Sequence, residues 1–169
     1  QIGYCEKGRY ANKIIIPTYN ADGQLDYFVA RSFEREPSRK YDAPSSDKNI
    51  VGFENMINGN IPIVLCEGAF DAIAIKRNAI PLFGKNISKK LMQKLVTSKV
   101  KKVYLALDKD AIKSTYKIAK QLLEAGKKIF VIDLDDKDPA DMGFALFTNK
   151  IQQSQEFTFS SLFNLKLSI

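Results

Sequence analysis

Three acidic clusters set the chemistry available to this chain. In IVLCEGAFDAIAI (63–75) an apolar run ends on Glu67, and Asp71 follows in what reads as a first helical turn. YLALDKDA carries Asp108 and Asp110 behind a second apolar run. VIDLDDKDPADMG follows a third such run with Asp133, Asp135, Asp136, Asp138 and Asp141. Two carboxylates ~4 Å apart repel by ~4 kcal/mol at an effective dielectric near ~20. A hard divalent cation turns that repulsion into coordination, and oxygen donors favour Mg2+ or Mn2+ over zinc. Two such ions could stabilise the attacking and leaving oxygens of a phosphoryl transfer. Histidine is absent, so the usual proton shuttle near neutral pH is missing. Cys5 and Cys66 form no C-x-x-C pair, which argues against a zinc knuckle and a disulfide framework. Cys66, inside an apolar run, is expected to be a buried thiol.

Each cluster also has an ordinary reading. Asp71 is a favourable charge at a helix start, Asp108-Lys109-Asp110 a solvated turn, and Asp138-Pro139 a helix start with proline at its first position. Coincidence at one edge of one sheet is what favours chemistry. The elements predicted from pattern supply that edge. Residues 12–19 and 24–33 read as strands around a turn at Ala21-Asp22-Gly23, and the polar stretch 34–60 as loops with short pairings. From residue 61 the pattern alternates: strand 62–66, helix 70–77, strand 80–83, a helix capped by Ser88 to about 97, strand 102–107, helix 111–125, strand 129–134, and a helix from Pro139 to about 149. In the helix at 111–125, Ile112, Tyr116, Ile118, Ala119, Leu122 and Leu123 form the apolar face. This is an α/β fold, a mainly parallel sheet with helices on both faces, preceded by a small mixed α+β lobe. The division expected is a lobe over 1–60, the α/β domain over 61–149, and a tail over 150–169 that adds a strand or docks. Ligands of such sheets bind outside the carboxyl ends of the strands, where all three acidic clusters fall.

Charge is unevenly spread within the net +7. Residues 1–60 balance eight basic against eight acidic side chains, whereas 85–128 carry thirteen lysines and three acids. That excess suits a polyanion, or is a set of solvated helix faces. No apolar run approaches the ~18 residues of a membrane span. The chain opens QIGYCEKGRY without a methionine or signal peptide and reads as a piece of a longer protein.

E-G-x-x-D in EGAFD, D-x-D in DKD and KDPADMG, each behind a buried strand, resemble the Toprim domain shared by primases, topoisomerases and some nucleases. GRYANKIIIPTYNADGQLDYFVARSF and KYDAPSSDKNIVGFENM are similar to the segment before Toprim in bacterial and phage replicative DNA primases of the DnaG type. The resemblance runs from residue 9 to about 148. It implies an RNA-polymerase core that joins ribonucleoside triphosphates on a single-stranded DNA template, with an RNA–DNA hybrid as product and Mg2+ or Mn2+ as cofactor. It implies Glu67, Asp108 and Asp110 as catalytic residues, with Asp71 and Asp138 joining them around the metals. Lys13, Arg31, Lys40, Tyr41 and Lys48 would line the groove for template and nucleotide phosphates. One departure is Ala140, where such primases often carry an acid; the next acid here is Asp141. In such primases a zinc-binding module lies upstream and a helicase or helicase-binding module downstream, so this stretch is expected to be the catalytic core only. A replicative helicase would be met through those modules, in the cytoplasm of a bacterial or phage-infected cell. A Toprim nuclease, or a nucleic-acid-binding module with vestigial acids, are the alternative classes.

Overall fold

The computed structural model describes residues 2–35, 37–135 and 137–167. Two sheets form. The first is antiparallel, in the order β1 (Gly3–Cys5), β2 (Lys13–Tyr19), β3 (Leu25–Ser32), β4 (Tyr41–Asp42). The turn between β2 and β3 is built by Asn20, whose side-chain oxygen accepts from the N–H groups of Asp22 and Gln24 at 3.0 and 2.9 Å. β1 is an addition to the predicted elements. Its three residues carry no alternating pattern, and pairing with β2 alone makes it a strand.

The second sheet has the order β6 (Ala79–Pro81), β5 (Ile63–Cys66), β7 (Lys102–Ala106), β8 (Lys128–Val131), β9 (Glu156–Phe157). All its pairings are parallel except that of β8 with β9. Helices α1 (Ala69–Ile75), α2 (Lys89–Thr97), α3 (Ile112–Glu124), α4 (Pro139–Gln153) and α5 (Phe159–Leu167) cover it. Every residue of β5 is buried, as the continuous apolar run requires of a central strand covered on both faces. Ile63 and Leu65 join one core beneath α2 and α3, with Val103, Leu105, Ile118 and Leu122. Val64 and Cys66 join the other, with Ala72, Ile75, Met142 and Phe147 of α1 and α4. Burial pushes the Cys66 thiol far above its ordinary pKa, so it is an inert core group as expected.

Ser88 caps α2 as its sequence suggests, accepting from the Leu91 N–H at 3.0 Å. In α3, Thr115 is buried and Ile112 and Tyr116 only partly so. The buried stripe, Thr115, Ile118, Ala119 and Leu122, is therefore rotated slightly from the predicted apolar face. β8 stops at Val131, three residues short of the prediction, because the chain turns off the sheet towards Asp133, whose side chain accepts from the Asp135 N–H at 3.0 Å. α4 runs four residues beyond the predicted end and is broken at Gly143, whose φ of 70° and ψ of 174° leave helical space. The tail resolves into both β9, at the edge of the sheet, and α5, packed beside α3.

The two sheets share a core. Ile16 of β2 packs with Phe53, Val64 and Cys66, and Tyr27 of β3 meets Phe83 with ring centroids 5.1 Å apart. Thr18, fully buried, accepts from the Phe53 N–H at 3.1 Å. Replacing that hydroxyl orphans a buried donor, which costs about 1–3 kcal/mol. Thr18→Val should lower the denaturation midpoint accordingly with an unchanged m-value; a midpoint equal to that of the parent protein would show that this seam carries no stability.

Candidate metal centre and nucleic-acid cleft

The register of the parallel strands builds the site. Cys66 of β5 lies level with Ala106 of β7, so the residues that follow each strand emerge side by side. Glu67 accepts from the Asp108 N–H at 3.1 Å. Carboxylate oxygens of Glu67, Asp108 and Asp110 all lie within 4.8 Å of one another. On the other side of β5, Cys66 is level with Pro81, and Gly84 donates its N–H to the Glu67 carbonyl at 3.2 Å. The same register therefore carries Lys85 to this edge, where it forms an ion pair with Asp110. Lys85 was not among the sequence candidates, although the rule that located the acids, residues just past a parallel strand, also points to it.

Asp71 and Asp138 stand behind the three clustered acids. Asp71 accepts from the Gly68 N–H at 2.9 Å and the Ala140 N–H at 3.3 Å. It thereby ties the turn after β5 to the start of α4. This accounts for the glycine of E-G-x-x-D: a Cβ at residue 68 would sit 2.9 Å from an Asp71 carboxylate oxygen. Asp138 caps α4, accepting from the Asp141 N–H at 2.8 Å. Asp108, Asp110, Asp138 and Asp141 face one cleft of about 420 Å3, together with Asp135. Lys150 lies 2.7 Å from Asp135 and holds its carboxyl below the usual range. Asp136 lies outside the described residues.

The electrostatics fit a hard divalent cation. Burial pushes the Asp71 carboxyl up to about 6, and nearby Asp138 and Asp108 add to the effect. Partial desolvation raises Asp108, reinforced by Asp110 and Asp138. Burial and the neighbouring Asp108 and Asp110 raise Glu67, against the Asp108 N–H and Lys85, which lower it. Lys85 pairs with Asp110, and Lys109 and Lys137 border the acidic cleft, but the carboxylates outnumber them, and oxygen donors at such spacing suit a hard divalent cation.

A second cleft of about 490 Å3 joins the acidic edge to the first sheet. Glu67, Asp71 and Asp108 line one side; Tyr27, Tyr41, Arg39 and Lys48 line the other, with Phe83 at the back. Lys48 Nζ donates to the Phe83 carbonyl at 3.2 Å. Arg31 is packed between the Tyr41 and Phe70 rings, its guanidinium carbon 5.2 and 4.5 Å from their centroids, and donates to the Tyr41 hydroxyl at 2.8 Å. Lys40 Nζ lies 5.9 Å from the Tyr41 ring centroid. Of the residues expected in the groove, Tyr41 and Lys48 line this cleft, Arg31 and Lys40 sit against the Tyr41 ring outside its lining, and Lys13 departs from it. Lys13 pairs with Ser32, one residue out of phase with the Ile14–Arg31 pair, and strand alternation assigns it to the opposite face of the sheet from Arg31. Arg39, which does line the cleft, was missed because nothing in the irregular stretch EREPSRK marks one basic residue over another.

Comparison with known proteins adds to this geometry. Residues 64–142 match a protein family described as Toprim-like. An uncharacterized protein of Mycoplasma genitalium, MG010, is 32% identical over 119 residues, covering 64% of this chain and 52% of that protein. The DNA primase of enterobacteria phage T4 is 26% identical over 136 residues, 77% of this chain and 38% of the primase. The chain thus spans about half, or less, of the length of these relatives. A DnaG primase catalytic domain bound to single-stranded DNA superposes with a TM-score of 0.75 at 16% identity, over 98% of this chain and 59% of that one.

If these acids hold a divalent ion, Mn2+ should raise the melting temperature, by about 5–10 °C at a hundredfold excess over its dissociation constant. The raised carboxyl pKa values set the sign. The ionised, ion-binding form prevails above about pH 6, where Asp71 titrates, so the shift should be full at pH 7.5 and shrink as pH falls through that value. Thermal scans at both ends of this range check it, and a shift indifferent to pH would mean that the ion binds elsewhere.

Proposed function

With residues 64–142 a Toprim-like domain set in the fold of the DnaG-type primase catalytic core, we propose that this chain is the catalytic core of a DNA primase. It would make short RNA primers from ribonucleoside triphosphates on single-stranded DNA. The observation that carries this reading is the meeting of two opposite surfaces in one cleft: Glu67, Asp71 and Asp108 on one wall, and Tyr41 and Lys48 on the other. A nucleotidyl transfer needs both, an acidic pole for metal-bound phosphoryl oxygens and a basic one for the remaining phosphates.

In this reading residues 61–149 do the chemistry and residues 1–60 grip the nucleic acid. Glu67 is the acid nearest the reacting atoms, as ligand or proton acceptor, its carboxyl raised by burial and by the neighbouring Asp108 and Asp110. Asp108 and Asp110 hold the ions, and Asp138 flanks them. Asp71 fixes the Glu67 turn through its two backbone partners and completes the negative field. Bound Mg2+ or Mn2+ supplies charge neutralisation on the transferring phosphoryl group. Arg31, Tyr41, Lys40 and Lys48 contact template and nucleotide phosphates. A 3′ hydroxyl attacks the α-phosphorus of the incoming nucleotide; the new P–O bond forms as pyrophosphate leaves. The hybrid product and a helicase partner, the latter reached through other modules, belong to the same proposal, as does action inside a bacterial or phage-infected cell. Among the described residues no helix is long and apolar enough to cross a membrane.

Asp108→Asn with Asp110→Asn should abolish dinucleotide synthesis while leaving the circular-dichroism spectrum intact; undiminished synthesis would end the polymerase assignment. Running the parent protein on template with and without nucleotides separates extension from cleavage, and template cutting without nucleotides would identify a nuclease instead. Arg31→Ala should weaken oligonucleotide binding about tenfold, as expected for a desolvated cation–π and phosphate contact. It should also make the salt dependence shallower.

A further inference from the structure

The candidate cleft does not end at the first sheet. It shares Lys48, Phe83 and Gly84 with a second cavity of about 510 Å3. That cavity shares residues 86–89 with a third, of about 450 Å3, which lies between α2 and α3. The three form one trough, from the acidic edge around the loop after β6 and along the two helices. In its outer third, Met92 and Ile118 make an apolar floor, and Lys89, Gln93, Lys117 and Gln121 make the walls. No carboxylate lines this outer part among the described residues, and Asp47 is the one acid of the middle part.

The lysines here are not committed to the protein's own acids. Lys90 and Lys94, their neighbours on α2, lie 3.3 and 2.6 Å from the buried Glu54. Lys89 and Lys117 have no carboxylate within ion-pair distance among the described residues. Lys89 also stands in the first turn of α2, where a positive charge opposes the helix dipole. Its position does nothing for the helix and leaves an ammonium facing the trough.

We propose that the trough is the track of a single nucleic-acid strand extending out of the acidic cleft, with Lys89 and Lys117 on its phosphates. The proposal rests on the reading of the cleft given above and extends it to a second stretch of strand. The two parts of the trough would treat that strand differently. The inner cleft offers the exposed Tyr41 ring on which a base stacks, with the half-buried Phe83 ring beside it. The outer part offers ammonium and amide groups and no aromatic side chain among its lining residues. It would therefore hold backbone without reading bases.

The test measures fluorescence anisotropy with oligodeoxynucleotides of about 6 and about 20 nucleotides, short enough for the cleft alone and long enough to fill the trough. Lys89→Gln with Lys117→Gln should remove most of the long strand's advantage, about tenfold, and leave short-strand binding within about twofold. The slope of log affinity against log salt for the long strand should flatten by about 1.4, about 0.7 for each lost phosphate contact. A long strand whose outer half is abasic should bind the parent protein as well as an ordinary one. Circular dichroism and the Mn2+ thermal shift report that the variant is folded and its acidic edge intact. An unchanged length advantage and salt slope overturn the track; if Arg31→Ala still weakens the short strand, the cleft reading survives that failure. Conversely, loss of the length advantage in a protein that makes no primers supports the track and removes the polymerase. A double variant that keeps DNA binding but loses affinity for poly-glutamate overturns the proposal in favour of an acidic protein segment.

Discussion

Like charges held close on two adjacent strands are the constraint around which this molecule is arranged. A parallel pair has evenly spaced bonds and a fixed level, so Cys66 opposite Ala106 leaves no freedom in where Glu67 and Asp108 emerge. β5 is buried on both faces and β7 buries Val103, Leu105 and Ala106, so neither can slip by a residue without exchanging the side chains packed into the two cores. The core on each side of β5 therefore holds together groups that would otherwise separate. Burial raises the carboxyl pKa values of Glu67, Asp71 and Asp108, and the neighbouring acids add to it.

The surroundings divide into groups that fix geometry and groups that leave charge uncompensated. Asp71 has both oxygens engaged by backbone N–H groups, from Gly68 and Ala140, so it braces the turn carrying Glu67 against α4. Lys85 pairs with Asp110 and lies close enough to Glu67 and Asp108 to feel their charge. Away from the edge, acids are matched more fully: Asp42 lies 3.3 Å from Arg9 and 3.5 Å from Arg39, and Glu54 meets Lys90 and Lys94. Against the pull of burial, those two lysines hold the Glu54 carboxyl below its usual range. The imbalance at the strand ends is thus local, which is what a proposed cation site requires. Arg31, clasped by Tyr41 and Phe70, loses less freedom when it meets a ligand than an exposed lysine does, since the two rings already fix its plane.

Long apolar runs, caps and breakers were legible as sequence. β5, β7 and α3 follow from periodicity, the start of α2 from Ser88, and the start of α4 from Asp138-Pro139. The acidic edge was legible too, since open α/β sheets present their ligand sites beyond strand carboxyl ends. Short elements were not. β1 and β9 span three and two residues, too few to show a period, and exist because a neighbouring strand offers unpaired backbone groups. α5 was hidden because Phe159, Phe163 and Leu167 on it are exposed and its apolar residues follow no clean face.

What the sequence determined by itself is the inventory: which strands are buried, which acids close them, and how lysine is concentrated between residues 85 and 128. Only the tertiary structure decided the roles within that inventory. Asp71 became a brace because a backbone donor 69 positions away arrives beside it. Asp110, and not Glu67 or Asp108, met a lysine because β6 pairs with β5 at one particular level. Lys13 fell on the far face of its sheet through a single step of strand register. Such outcomes depend on which distant segments become level with one another. That is settled by packing both faces of a sheet at once, and no local pattern of residues encodes it.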